Sequence, residues 1–74
     1  MENAQMRFKE VRQALGLTQG EIAEKLGMHQ TAWGRFETGK VPDPRATTII
    51  HICKTLDISA DWLLGLTESE NNNG

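Results

Sequence analysis

The stretch Gly27-Met28-His29 constrains this 74-residue chain more than any other feature, because both of its flanks read as helix. On the amino-terminal side, Thr18 and Glu21 form a Thr-x-x-Glu capping box, in which hydroxyl and carboxylate each satisfy a backbone N–H left free at a helix start. Leu17, just before the cap, and Ile22 stand where a hydrophobic staple needs them. The helix so opened covers roughly 19–26 and stops at Gly27, the residue type best suited to a left-handed C-terminal position. On the other side a helix begins near Gln30, with His29 as a poor cap and Met28 and Trp33 at the staple positions, and it ends before Gly39. A link of about three residues forces a sharp crossing instead of an antiparallel hairpin. Ile22, Ala23 and Leu26 then face Trp33 and Phe36, and the small Ala23 allows close approach.

The rest of the chain reads as further short helices, with no alternating run long enough for a sheet. Phe8, Val11 and Leu15 share one face of a first helix over roughly 4–14, capped by Asn3. Asp43-Pro44 reads as a cap followed by proline at the first helical position, opening a helix over roughly 44–56 with Ile49, Ile52, Cys53 and Leu56 inward. His51 falls on its outer face. Ser59 caps a fifth helix over roughly 60–64, with Ile58 and Leu63 as a third staple pair and Gly65 as its stop. Residues 1–66 thus form one all-α domain of five helices, and 67–74, without an apolar side chain, read as a disordered polar tail.

Several functions lack material. No apolar run approaches the roughly 20 residues that cross a bilayer. Charged residues occupy the start of the chain where a signal peptide would be apolar, so the expected location is cytoplasmic. One cysteine, Cys53, excludes an internal disulfide and a cysteine-rich zinc site, and with only His29 and His51 beside it neither a metal site nor a cofactor is expected. No nucleophile–base pair or phosphate loop supports an enzyme. The net charge is −2, and it is uneven: the first forty residues hold six basic groups against five acidic, the remainder two against five. A function on nucleic acid must therefore rest on a small, well-placed site rather than a broad basic face. The outer side of the second crossing helix offers one. Gln30, Thr31 and Arg35 are types that read base edges: Gln pairs with adenine, Arg with guanine, and Thr contacts the thymine methyl. The bland alternative is a polar, solvated face.

The stretch from Leu17 to Gly27, followed by Trp33-Gly34-Arg35-Phe36-Glu37-Thr38-Gly39-Lys40, closely resembles the helix-turn-helix of phage repressors and Cro proteins, the lambda-repressor-like family. Residues 53–64 resemble that family's last two helices, so the likeness covers roughly residues 6–65, with the helix-turn-helix at about 18–38. It implies a sequence-specific regulator of double-stranded DNA, bacterial or phage-encoded and nucleoid-associated. The expected action is repression, by a homodimer on a short palindrome. Carried over, it implies that Gln30, Thr31 and Arg35 read bases, that Gln19, His29, Thr38 and Lys40 meet phosphates, and that Arg12 and Glu37 form a structural ion pair. Trp62, Leu63, Leu64 and Leu66 exceed the needs of one short helix; part of that cluster is expected in the core and part at a dimer interface.

The chain departs from the family pattern at four places: His29 replaces a Ser or Thr cap, Trp33 an aliphatic residue and Thr38 an Asn, while Gly34 sits in mid-helix. Two other readings remain at this stage. One is an antitoxin- or adaptor-like module that binds protein through the same fold. The other is the N-terminal DNA-binding part of a longer repressor.

Overall fold

Left-handed residues follow the end of every helix, and between them the chain folds as the caps and staples require. The structure, a computed structural model, describes residues 6–67. It contains helices α1 (Phe8–Ala14), α2 (Gln19–Leu26), α3 (Gln30–Glu37), α4 (Ala46–Leu56) and α5 (Ala60–Leu63). The described residues hold no strand. Packing runs α1 on α3, α3 on α2, α2 on α4 and α4 on α5.

The α2 capping box is formed as expected: Thr18 Oγ1 accepts from the Glu21 N–H at 3.1 Å, and the Thr18 N–H donates to Glu21 Oε1 at 2.8 Å. Ser59 caps α5 through the Trp62 N–H. Leu17, Met28 and Ile58, each just before a cap, pack against the buried cluster of Phe8, Val11, Ile22, Ala23, Leu26, Trp33, Ile49, Ile52, Leu56 and Leu63. Three staples thus draw three helix starts onto one core. Inside it Phe8 stacks on Phe36 with ring centroids 4.8 Å apart and meets Trp33 edge-on at 5.7 Å, a geometry aromatic quadrupoles favour. Cys53 is half-buried against this cluster, and burial pushes its thiol pKa up, which suits an inert packing residue.

Three expectations need correction. Helix α1 begins at Phe8, not near residue 4, and the proposed Asn3 cap lies outside the described residues. Arg7 is held out of the helix by tertiary bonds: its N–H donates to the Leu63 carbonyl at 2.8 Å, and its guanidinium donates to the carbonyls of Trp62 and Thr67. Helix α4 begins at Ala46, so Asp43 is no cap and Pro44 no first helical residue. Two prolines, Pro42 and Pro44, bias the residues before them away from helix, the chain bends at 42 and 43, and Arg45 is still extended (ψ 144°). Leu15 is 44 % exposed. It lies past the last turn of α1, and Leu17 fills the core in its place. Of the tail read over 67–74, Thr67 is described and its carbonyl accepts from Arg7, while 68–74 fall outside the described residues.

Candidate nucleic-acid interface

Glu37, the last residue of α3, organises the crossing of the first three helices. Its carboxylate accepts from Arg12 Nε at 2.5 Å and Arg12 Nη2 at 3.1 Å, a bidentate pair between α1 and α3. It also accepts from Gln19 Nε2 at 3.1 Å and from the indole Nε1 of Trp33 at 2.5 Å. Arg12 reaches on to the Leu17 carbonyl at 3.1 Å, tying in the loop before α2. The Glu37 side chain is only 4 % exposed. Burial is the largest influence on its pKa and pushes it up, but the bonds from Arg12, Gln19 and Trp33 and the charge of Arg12 outweigh it, so the carboxyl is held below its ordinary value. Arg12 is shifted up in return, chiefly by its bond to Glu37. The ion pair implied by the resemblance is thus present, as part of a larger cluster.

Next to that cluster, α2 and α3 enclose an open groove lined by Gln19, Gln30, Thr31, Gly34, Arg35, Thr38 and Lys40. Six of the seven residues implied to meet DNA are therefore on one surface. Gln30, Thr31, Arg35, Thr38 and Lys40 are exposed, and Gln19 is half-buried because one carboxamide N–H is committed to Glu37. The Thr38 hydroxyl leans on the Arg35 carbonyl at 3.4 Å, within the last turn of α3. The seventh residue, His29, is exposed at the head of α3, lines no part of the groove and makes no cap bond.

The proposed interface cluster divides. Leu63 is fully buried and belongs to the core, while Leu66 is 65 % exposed. Trp62 and Leu64 are half-buried, and the guanidinium of Arg7 lies over the Trp62 ring, 5.2 Å from its centroid. Leu64 also lines an apolar groove with Met6, Pro42, Pro44, Ile49 and Ile50. Beyond the bonds of Gln19 and Trp33 to Glu37, sequence reasoning missed two ties. His51 is exposed, but its Nε2–H donates to the Leu26 carbonyl at 2.7 Å, satisfying an acceptor at the end of α2. Arg7 joins α1 to α5. Neither contact carries a periodic signal. Among the described residues no group of three or more His, Cys, Asp or Glu could hold a metal ion, and no helix is long and apolar enough to cross a membrane.

Two short helices joined by a three-residue link, packed on one another and presenting polar side chains along the second, define a class. The chain belongs to the family described as "Helix-turn-helix domain", whose model matches residues 6–64. It is similar to three regulators of Bacillus subtilis (strain 168). With the uncharacterized HTH-type transcriptional regulator YobD it shares 32 % identity over 62 residues, 84 % of this chain and 54 % of that protein. With the HTH-type transcriptional regulator ImmR it shares 36 % over 67 residues, 90 % of this chain and 52 % of that protein. With the SPbeta prophage-derived uncharacterized regulator YonR it shares 31 % over 64 residues, 86 % and 58 % respectively. The chain spans about half the length of the curated relatives it matches. No solved structure matches the chain significantly. The prophage origin in the name of YonR agrees with the phage-repressor resemblance of the sequence.

Proposed function

We propose that this chain is the DNA-reading unit of a transcriptional regulator, and that it acts on double-stranded DNA as a homodimer at a short palindromic operator. One observation carries the reading: the groove between α2 and α3 gathers Gln19, Gln30, Thr31, Gly34, Arg35, Thr38 and Lys40 on one surface. In this reading α3 lies in the major groove, where Gln30 pairs with adenine, Arg35 with guanine and Thr31 packs on a thymine methyl. Gly34, without a side chain, makes no base contact and lets the backbone approach.

The amino end of α2 faces a phosphate, since its first N–H groups and helix dipole favour an anion. Gln19 donates its remaining carboxamide N–H to the same phosphate. Thr38, Lys40 and the exposed His29 contact phosphates on either side of the groove. The second copy docks on the exposed apolar patch around Leu64 and Leu66, with Trp62 at its edge. Bound across a promoter, such a dimer represses by occlusion. The regulator works in the cytoplasm, on the nucleoid.

Selection from randomised duplex DNA tests the reading, run in parallel with Arg35→Ala at fixed salt. The expected result is a palindrome with half-sites about one helical turn apart, and a variant that relaxes one position of each half-site by about 1–3 kcal/mol. If the unaltered chain enriches nothing at low salt, base reading by α3 is wrong, and a protein partner for the same surface becomes the reading to pursue.

A further inference from the structure

Two glycines line the crossing of α2 and α3, and backbone conformation explains neither. Gly20, the second residue of α2, and Gly34, the fifth of α3, are absent from the positive-φ positions, which are Gly16, Gly27, Gly39, Gly65 and Asp57. Each faces the glutamine that opens the other helix. A Cβ added to Gly34 would lie 3.8 Å from Gln19 Oε1, an ordinary contact. A Cβ added to Gly20 would lie 3.2 Å from Gln30 Oε1, with Gln30 Cδ at 3.8 Å. That is tighter than most side-chain contacts, so the Gln30 carboxamide would have to give by a few tenths of an ångström. Glycine is also the least favourable residue for a helix apart from proline. At position 20 it therefore costs helix stability while making room for one side chain.

We propose that Gly20 is a positioning residue for base reading: its bare Cα is the seat on which the Gln30 carboxamide lies across the first turn of α2. The inference rests on the DNA reading above and adds a residue that touches no base. Bidentate recognition needs the plane of the carboxamide fixed relative to the base edge. Glutamine at the exposed start of a helix otherwise samples many rotamers, and each rotamer lost on binding weakens the contact. Contact with the bare Cα favours one of those rotamers before DNA arrives. Gly34 has no equivalent role towards Gln19, because the Gln19 carboxamide is already anchored on Glu37.

The test measures base preference at every operator position for the unaltered chain, Gly20→Ala, Gln30→Ala and the double variant, using the duplex that selection yields. Alanine favours the helix more than glycine, so Gly20→Ala is expected to unfold at the same temperature as the unaltered chain or higher. At the position whose preference Gln30→Ala abolishes, Gly20→Ala is expected to cut discrimination at least threefold. Combined with Gln30→Ala it should change nothing further, because Gly20 acts only through that side chain. Preferences that depend on Arg35 should stay as they were. The inference is overturned if Gly20→Ala keeps full discrimination, if it weakens all sequences alike, or if Gln30→Ala leaves every preference intact. If the unaltered chain selects no sequence at all, the DNA reading itself falls and takes this inference with it. That result is distinct from a selective chain whose Gly20→Ala variant is unchanged.

Discussion

Glu37 accepts four hydrogen bonds, from side chains of α1, α2 and α3, and so couples the geometry of the groove to one ionisation. Glu37→Gln keeps the shape but turns one acceptor into a donor facing Arg12 and Trp33, leaving a charge and buried donors without partners. The expected loss is about 3 kcal/mol, a large share of the roughly 4–11 kcal/mol available to a domain of this size. Chemical denaturation measures it directly. The sign of the pH dependence follows from the lowered pKa of this carboxyl. Its contribution is complete above the ordinary carboxylate range, about pH 4.5, and is lost as pH falls through the lower folded value. Circular dichroism from pH 7 to 2 is expected to show acid unfolding below about pH 4.5, with a smaller acid limb in Glu37→Gln. An acid transition unchanged by the substitution would separate the cluster from stability. The Arg12–Glu37 pair was legible through the resemblance, because both residues stand at matching positions. The further bonds from Gln19 and Trp33 were not, since convergence of side chains from separate helices leaves no spacing to read.

At the scale of elements, the local code was legible wherever capping chemistry decided the outcome. Thr18, Glu21 and Ser59 cap as their types require, and α2 and α3 have the expected limits. The starts of α1 and α4 were not legible. The first is set by a bond from Arg7 to Leu63, more than fifty residues away, and the second by a bend at 42 and 43 and an extended Arg45 beyond the two prolines. The end of α4 offers a direct test. The other four helices are followed by glycine at positive φ, whereas α4 closes on Asp57 at φ 58°, with no Cβ-free residue to relieve the crowding. Its carboxylate also sits at the negative end of the helix dipole. Asp57→Gly is expected to raise stability by about 1 kcal/mol, or about 4–8 °C in thermal midpoint for a domain of this length. Duplex affinity should stay the same. A lower midpoint would mean that Asp57 makes a favourable interaction that outweighs its backbone.

For the molecule as a whole, the five-helix architecture was legible because staples, caps and glycines all pointed to one packing, whereas the division of the Trp62–Leu66 cluster between core and surface depended on how α5 docks. The overall charge of −2 carries its own prediction. Among the groove residues only Arg35 and Lys40 are cationic, so two copies bring about four positive groups to the duplex. The slope of log affinity against log salt is expected to be no steeper than about −4. Titrations between 50 and 300 mM salt check this, and a steeper slope would show phosphate contacts beyond the groove. The clasp of Arg7 on Trp62 and Thr67 has a mechanical consequence. It brings residues 7 and 67 to the same corner, so the described chain is a loop closed at Arg7 by its guanidinium and its backbone N–H. A tether pulled at those two points loads this clasp first, and α5 peels away before the crossing of α2 and α3 bears any tension.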